Sequence, residues 1–323
     1  RQTRKAKPFV KWVGGKGQLL SQLAEYLPSQ LDGRPFVYIE PFVGGGAMLF
    51  YMLKAHPEIK RIVINDINSH LVTTYRIIKD SPDELIERLF ALEKLYFGLE
   101  DESARKSFYL AVRKLFNDGC IDDVDRAKYL LFLNRTCFNG LYRENSKGKF
   151  NVPFGRYLNP TICDPETILA DSKLLNSTNV TILNEDYTKI QDYIDNNCVN
   201  FVYFDPPYRP LSTTSSFNSY VKGSFNDEEQ LRLGDFSKML ACQNNVYWML
   251  SNSDCSAKNP EDKFFEKIYS KFYINRVLAS RSINSNPAKR GKLSELLICN
   301  YEPAGYGKFV AENNQPYMVN ASK

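Results

Sequence analysis

The residues best suited to chemistry in this chain are Asp205, Pro206, Pro207 and Tyr208, which follow one another directly. They end an apolar run over residues 200 to 204, whose short length and aromatic content are typical of a buried strand. The prolines cannot continue a strand ladder, so they fix a stiff turn at the edge where open α/β sheets bind ligands. There the Asp205 carboxylate and the Pro206 carbonyl can both accept hydrogen bonds from one planar amine, while Tyr208 stacks on its ring. A capped turn with an anchoring Tyr is the alternative for this motif taken alone.

A glycine turn followed by an acid predicts a site for a nucleotide-like ligand. Residues 36 to 42 are typical of a buried strand, which runs into a glycine turn at residues 44 to 46 and then into an apolar helix. Such a turn lets a ligand touch the backbone. Asp66 ends the next predicted strand about 20 residues later, where an acid can bind ribose hydroxyls. The pattern favours an adenosine-containing ligand, although many glycine turns only pack a helix against a sheet.

A second glycine turn, Gly14-Gly15-Lys16-Gly17, precedes a leucine-rich helix that Pro28 ends. Backbone N–H groups at the start of a helix are suited to binding an anion. The turn lacks the Walker A pattern, GxxxxGK followed by Ser or Thr, which argues against a nucleotide triphosphatase.

A basic, aromatic segment lies between residues 135 and 158, with five Lys or Arg residues against Glu144 as its single acid. Two short aromatic stretches flank a Ser146-Lys147-Gly148 turn, which predicts a β-hairpin. Such a hairpin can enter a nucleic-acid groove, and a packed edge ribbon is the alternative.

Strands and helices alternate along the chain, which predicts an α/β fold. Further strands are predicted at residues 61–64, 180–183, 199–204, 246–250, 272–278 and 296–299. Amphipathic patterns at residues 82–97, 103–116 and 123–133 predict helices inserted into the sheet, the first of them started by a capping box of Ser81 and Glu84.

Composition sets the class of protein. The chain has 323 residues, 43% of them hydrophobic and 24% charged, which is typical of globular proteins. Its net charge of +5 permits a nucleic-acid partner without requiring one. Seven cysteines without a CxxC pair and only two histidines argue against a metal site or a disulfide framework. No apolar run approaches the ~18 residues of a membrane span, so we expect a cytoplasmic protein without a membrane partner.

Six motifs, in this order, resemble those of the Dam-type DNA adenine-N6 methyltransferases of the D12 class. They are Lys11-Trp12-Val13-Gly14-Gly15-Lys16, Glu40-Pro41-Phe42-Val43-Gly44-Gly45-Gly46, Asp66-Ile67-Asn68, the hairpin from Phe138 to Tyr157, Asp205-Pro206-Pro207-Tyr208 and Arg281-Ser282-Ile283-Asn284-Ser285-Asn286. The resemblance runs from Phe9 to about Tyr301. It implies a Rossmann-like class I methyltransferase sheet with an inserted helical target-recognition subdomain that carries a β-hairpin. It also implies S-adenosylmethionine as methyl donor, GATC as the site and flipping of the target base.

The resemblance divides the chain into three parts. Residues 1–67 and 164–303 would form a discontinuous catalytic domain, residues 68–163 the target-recognition subdomain, and residues 304–323 a flexible tail. The partner would be double-stranded DNA, bound by a monomer, and whether a cognate restriction endonuclease accompanies it stays open.

The resemblance also assigns roles to individual residues. Asp205, Pro206, Pro207 and Tyr208 would form the catalytic motif. The cofactor would be bound by Trp12, Lys16, Glu40, Phe42, Gly44, Gly45, Gly46, Asp66, Asp186, Tyr187 and Asp205. DNA would be bound by Lys11, Phe138, Asn139, Leu141, Arg143, Pro153, Tyr157, Arg281 and Asn284. Tyr142 and Glu144 flank Arg143 where members of the family vary.

Other functions stay open at this point. Asp-Pro-Pro-Tyr fits any exocyclic amine, so cytosine N4 or an RNA adenine are alternative targets, although A-form major grooves are too narrow for a hairpin to read. A non-catalytic DNA-binding regulator on the same fold is a further alternative, against which the intact motif argues.

Overall fold

The structure is a computed structural model that describes residues 5–17, 19–211, 225–279 and 293–304. Within these residues seven strands form one sheet in the order β3-β2-β1-β4-β5-β7-β6. The strands are β1 (Phe36–Glu40), β2 (Ile59–Asn65), β3 (Asn179–Leu183), β4 (Val199–Phe204), β5 (Val246–Ser253), β6 (Tyr273–Ala279) and β7 (Leu293–Cys299). Neighbouring strands from β3 to β5 pair in parallel, whereas β7 runs antiparallel to both β5 and β6. The strand order reverses between β1 and β4, and open α/β sheets bind ligands beyond the carboxyl ends of strands at such a switch point.

Helices cover both faces of this sheet. They are α1 (Leu20–Ala24), α2 (Ala47–Ala55), α3 (Ser69–Asp80), α4 (Pro82–Phe97), α5 (Glu102–Asp118), α6 (Asp123–Thr136), α7 (Pro165–Leu175), α8 (Asp227–Ala241), α9 (Cys255–Lys258) and α10 (Phe264–Ile268). Short 3₁₀ helices add Ser29–Leu31, Phe138–Gly140 and Tyr187–Tyr193. No helix in the described ranges is long and apolar enough to cross a lipid bilayer.

The core has two parts because successive strand residues point to opposite faces of the sheet. In β1, Tyr38 belongs to one hydrophobic cluster, while Val37 and Ile39 belong to the other. The cluster around Tyr38 continues into the inserted helices, with Leu89 of α4 and Phe132 of α6 fully buried in it. The inserted helices and one face of the sheet therefore share a core, which fixes these helices relative to the sheet.

Two local predictions need correction. The capping box at the start of α4 is wrong, because the Ser81 side chain makes no cap hydrogen bond and Glu84 bonds Arg88 instead, with 2.5 Å between Glu84 Oε1 and Arg88 Nη2. The predicted hairpin is present as a chain reversal, but isolated bridges, Cys137 with Phe154 and Glu144 with Phe150, replace a continuous ladder.

Side chains of α5 explain why the two arms of this segment need no ladder. Asn117 accepts a hydrogen bond from the Phe150 N–H at 2.8 Å and donates one to the Phe150 carbonyl at 2.9 Å. The Tyr109 hydroxyl donates to the Val152 carbonyl at 2.7 Å. Because α5 satisfies these backbone groups, the segment is held against the helices rather than by its own pairing. We call residues 137–158 the ribbon.

Candidate active site

A cavity of about 800 Å³ lies beyond the carboxyl ends of β1, β2 and β4. Every residue that the sequence predicts for catalysis or for cofactor binding lines it. They meet because the carboxyl ends of parallel strands lie at one edge of the sheet, and the glycine turns before α1 and α2 close the cavity from the side. In the described ranges no three His, Cys, Asp or Glu side chains are close enough together to hold a metal ion.

A buried ion pair lies at the end of β4. Asp205 Oδ1 is 3.2 Å from Nζ of Lys16, a residue that is only 3% exposed. The same ammonium lies 3.3 Å from Oε2 of Glu295 and donates a hydrogen bond to the Tyr208 hydroxyl. That hydroxyl donates in turn to Glu295 Oε2 at 2.7 Å. We call Lys16, Asp205, Tyr208 and Glu295 the Lys16 cluster.

Burial sets the proton affinity of the acids beside the cavity. Loss of solvent raises the pKa of Asp205 to about 6, against the lowering effect of Lys16. Glu40, at the end of β1, is 2% exposed and accepts a hydrogen bond from the Tyr38 hydroxyl at 2.8 Å. Burial raises the pKa of Glu40 well above its usual value. Burial therefore makes both carboxyl groups hold a proton more tightly than a solvated acid does, and at Asp205 the Lys16 ammonium opposes this effect.

The glycine turn after β1 is shaped by close packing. A Cβ at Gly44 would come within 2.9 Å of Cδ1 of Trp12, and one at Gly46 would clash with the Tyr75 hydroxyl. Both glycines have positive φ, 50° and 78°, which other residues rarely adopt. Only glycine allows the turn to lie this close to its neighbours.

Asp66 holds this turn from the end of β2. Its Oδ2 accepts a hydrogen bond from the Gly44 N–H at 3.0 Å, and its Oδ1 accepts one from the Asn68 N–H at 2.9 Å. Burial raises the pKa of Asp66, while both N–H donors lower it. An ionised carboxylate has about four acceptor sites, so the side chain can still accept a hydrogen bond from a ligand.

The opposite wall combines an ion pair with aromatic rings. Asp186 is bonded by both terminal nitrogens of Arg232, at 2.8 and 2.9 Å. Burial by itself would raise the pKa of Asp186, but the hydrogen bonds from Arg232 and Thr188 outweigh it and lower the pKa to about 2. The ring of Tyr187 packs against Phe42 at 5.2 Å between centroids, and within the part of the chain that the structure describes its buried hydroxyl has no hydrogen-bond partner. Such an unpaired buried hydroxyl can donate to a ligand in the cavity.

Five of the residues predicted to bind DNA lie close together: Lys11, Phe138, Asn139, Pro153 and Tyr157. The Lys11 ammonium lies 5.9 Å from the ring centroid of Tyr157, and the Tyr157 hydroxyl accepts a hydrogen bond from the Asn139 N–H at 2.9 Å. The Phe138 N–H donates to the Pro153 carbonyl at 2.8 Å, and the Phe138 side chain is 50% exposed. Leu141 is partly buried behind them. Arg281 and Asn284 lie outside the described residues.

Arg143 is exposed on the ribbon, yet its guanidinium is held in place. Its Nε donates to Oδ1 of Asn151 at 2.7 Å, and its Nη2 donates to the Asn151 carbonyl at 3.2 Å. These two bonds fix one edge of the guanidinium and leave the Nη1 group without a partner among the described contacts. The Arg side chain is thus oriented before any partner is bound.

Sequence reasoning missed two residues. Glu295 stands in a strand of apolar residues, and Asn134 interrupts the apolar helix α6. Asn134 is 2% exposed. Its Oδ1 accepts a hydrogen bond from the Lys11 N–H at 2.8 Å, and its Nδ2 donates to the Lys11 carbonyl at 2.8 Å and to the Gly140 carbonyl at 3.1 Å. The signal in the sequence was a polar residue within an apolar pattern, because a polar side chain that is buried is expected to hydrogen-bond to other groups.

Comparisons with known proteins agree on one family. A family model described as D12 class N6 adenine-specific DNA methyltransferase matches residues 12–283. The type II methyltransferase M.MjaIII of Methanocaldococcus jannaschii is 49% identical over 300 residues, which cover 91% of this chain and 99% of that protein. The type II methyltransferase M1.LlaDCHI of Lactococcus lactis subsp. cremoris is 40% identical, over 91% and 95% of the two chains. A DNA adenine methylase of Vibrio cholerae is 32% identical, over 91% and 96%.

Proposed function

Because the chain belongs to the D12 class of N6 adenine-specific DNA methyltransferases, we propose that it modifies adenine within GATC, after flipping the base out of duplex DNA. The enzyme transfers a methyl group from S-adenosylmethionine to the N6 of a DNA adenine. The observation that carries the proposed mechanism is the position of Asp205 and Pro206 at the carboxyl end of β4, beside the cavity.

The cavity suits the methyl donor. Its volume of about 800 Å³ lies in the usual range for a ligand pocket. The glycine turn exposes backbone to it, Asp66 retains acceptor capacity for ribose hydroxyls, and Tyr187 has an unpaired buried hydroxyl. These residues, with Trp12 and Phe42, would hold S-adenosylmethionine, which supplies a methyl group activated by a sulfonium charge.

In catalysis this chain would make the N6 amine of adenine a better nucleophile. The lone pair of adenine N6 is delocalised into the ring, so the amine is a weak nucleophile. The Asp205 carboxylate and the Pro206 carbonyl would each accept one N6 hydrogen, which favours a pyramidal nitrogen whose lone pair is free to attack. As the new N–C bond forms and the S–C bond breaks, positive charge moves to N6. The ionised Asp205 carboxylate would stabilise this charge, and the same carboxylate could then accept the proton that N6 loses.

Base flipping follows from the position of N6. The amine is paired in duplex DNA, so the adenine must leave the stack, which costs a few kcal/mol. Stacking on an aromatic ring contributes about 1–3 kcal/mol per base, and Tyr208 would supply that ring. Phe138, exposed at the tip of the predicted DNA surface, would fill the space that the base leaves.

One chain carries both the cavity and the predicted DNA surface, which supports a monomer acting on duplex DNA. Because its substrate is DNA, we expect the enzyme to work in the cytoplasm. The exposed Arg143 and Lys11 and the half-buried Tyr157 support a short, defined recognition site. GATC rests on the match of these residues to the positions that Dam-type enzymes use.

The experiment is expression in a methylation-free bacterial host, followed by base-resolution mapping of modified adenines and cytosines. We expect N6-methyladenine at GATC with the wild-type chain. Asp205→Ala should give none, although the purified variant still binds DNA. Modified cytosine, adenine modified elsewhere, or transfer by Asp205→Ala at near wild-type rate would each contradict the corresponding part of the proposal.

A further inference from the structure

Glu295 lies in β7, outside residues 12–283 that the family model matches. In this antiparallel strand it pairs with Ser253 of β5 and Val277 of β6. Its side chain is 16% exposed and lies on the same face of the sheet as Leu297, which is buried in the core. Burying a carboxylate in such surroundings costs free energy unless it is paired and hydrogen-bonded, so the partners of Glu295 indicate its role.

The partners of Glu295 are two residues of the proposed active site. Its Oε2 accepts a hydrogen bond from the Tyr208 hydroxyl at 2.7 Å and lies 3.3 Å from the Lys16 ammonium. The same ammonium is 3.2 Å from Asp205. Lys16 therefore bridges two carboxylates, and Glu295 is the one that does not line the cavity.

The contacts of Glu295 restrict two rotatable side chains of the Lys16 cluster, those of Lys16 and Tyr208. Lys16 has a long, flexible side chain, and its position against Asp205 is defined only if other contacts fix its ammonium. The Tyr208 ring can rotate about its side-chain bonds, and its hydroxyl is anchored to Glu295 from a strand that is itself paired on both sides. A charged acceptor on a rigid strand is suited to hold both groups.

We propose that Glu295 is a positioning residue for methyl transfer: it anchors Lys16 against Asp205 and Tyr208 beside the place of the target base. This inference rests on the proposed role of Asp205 and adds a residue to it. Glu295 acts through Lys16 and Tyr208, without touching the amine itself.

The role has a consequence for the charge of Asp205. The groups that act on this carboxylate are Lys16, Glu295 and Tyr208, with Glu40 at the end of the neighbouring strand. Among these, the negative charge of Glu295 raises the pKa of Asp205, whereas Lys16 lowers it. Removing that charge leaves the Lys16 ammonium to Asp205 alone, so the pKa of Asp205 should fall.

The test compares Glu295→Gln with wild type by kcat and by the pH profile of kcat/KM for S-adenosylmethionine, which reports groups of the cofactor-free enzyme. Gln keeps the size of the side chain and removes its charge. We expect kcat to fall about ten- to a hundredfold, as for loss of a charged hydrogen-bond acceptor. We also expect the acid limb of the profile to move to lower pH.

Glu266→Gln is the matched control. Glu266 is likewise a partly buried, ion-paired carboxylate outside the cavity, but its partners are Arg276 of β6, at 2.9 Å, and Ser256 rather than Lys16 and Tyr208. The control should change neither kcat nor the acid limb. Glu295→Asp is the second variant: it keeps the charge but shortens the side chain, so kcat should fall while the acid limb stays near that of wild type.

Two results would overturn the inference. One is a Glu295→Gln enzyme whose kcat is within about twofold of wild type. The other is a lower kcat with an unchanged acid limb, because a carboxylate that only stabilises the fold would leave the charge of Asp205 unaltered. Asp205→Asn, measured in parallel, separates the two proposals. If that variant still transfers methyl groups, the proposed role of Asp205 fails, whatever Glu295 does.

Discussion

The ring of Trp12 lies against the ring of Tyr142, with centroids 5.0 Å apart and planes inclined by 30°. Trp12 lines the cavity and packs against the Gly44 turn. Tyr142 belongs to the ribbon and directly precedes Arg143. This contact joins the wall of the cofactor cavity to the surface predicted to read DNA.

Tyr142→Ala should therefore weaken binding of both ligands. Aromatic pairs contribute about 0.5–1.5 kcal/mol beyond their buried area, so we expect roughly two- to tenfold higher Kd values for S-adenosylmethionine and for GATC duplexes. Titration calorimetry and fluorescence anisotropy measure the two constants. Tyr142→Phe is the control, because it keeps the ring and removes only the hydroxyl, which bonds Glu144. Loss of affinity for DNA alone would show that the contact does not couple the sites.

The sheet and the cavity could be predicted because both depend on local pattern. The apolar runs that became β1 and β4 are bounded by Pro and Gly, and the carboxyl ends of parallel strands necessarily meet. Asp66 and Asp205 could thus be assigned to one edge of the sheet from their positions at the ends of two predicted strands.

Glu295 could not be predicted in this way. It contacts Tyr208 from 87 residues away, through an antiparallel strand whose register depends on tertiary pairing. The ribbon was incompletely predicted for a similar reason, since Asn117 and Tyr109 of α5 satisfy backbone groups that a hairpin would have paired itself. Local sequence carries the period of a strand but does not identify its partner.

Asp66→Ala should reduce cofactor affinity much more than DNA affinity. The carboxylate lies at the end of β2 with acceptor capacity left for ribose hydroxyls, and a hydrogen bond to a charged group contributes about 1.5–3 kcal/mol. We expect the Kd for S-adenosylmethionine to rise roughly ten- to a hundredfold in calorimetry. Asp80→Ala, an exposed acid at the end of α3, is the control. A folded Asp66→Ala enzyme with unchanged cofactor affinity would remove Asp66 from the binding site.

Asp171 in α7 makes stability depend on pH. It is fully buried and accepts the Lys7 N–H at 3.0 Å through Oδ1, whereas its Oδ2 has no hydrogen-bond partner among the described residues. Burial raises the pKa of Asp171 from 3.8 to about 8. The folded protein therefore holds this proton where the unfolded chain has lost it, so the contribution of Asp171 to stability falls as pH rises from about 4 to about 8.

Asp171→Asn should remove that dependence, because the amide resembles the protonated acid. Relative to wild type, the variant should gain free energy of unfolding between pH 5 and pH 8, by up to about 1.4 kcal/mol per pH unit. Urea unfolding at several pH values measures this. Asp122→Asn is the control: hydrogen bonds from the Asp125 N–H and from Arg88 lower the pKa of Asp122, so its contribution to stability is constant over this range. Parallel pH curves for wild type and Asp171→Asn would contradict the prediction.

Asn151 holds one edge of the Arg143 guanidinium on the exposed face of the ribbon. Arg recognises guanine in the major groove by donating to O6 and N7 together, and this pairing discriminates by about 1–3 kcal/mol. A guanidinium that bound only phosphate would carry no sequence information. If Arg143 reads the guanine of GATC, its removal should lower selectivity at one base pair and leave the other positions unaffected.

Methylation rates on GATC and its single-base variants, at fixed salt, decide between these two roles. Arg143→Ala should lose roughly ten- to a hundredfold of selectivity at the outer base pair. Arg156→Ala is the matched control, because it removes the same charge from the same ribbon at a side chain that lies 3.5 Å from Glu102. If Arg156→Ala lowers the methylation rate, it should lower the rate on all duplexes by the same factor. If Arg143→Ala also lost activity evenly across all duplexes, with a salt dependence lower by about one unit of slope, Arg143 would be a phosphate contact. The base-reading role would then have to be abandoned, whereas methyl transfer at Asp205 would be unaffected by that result.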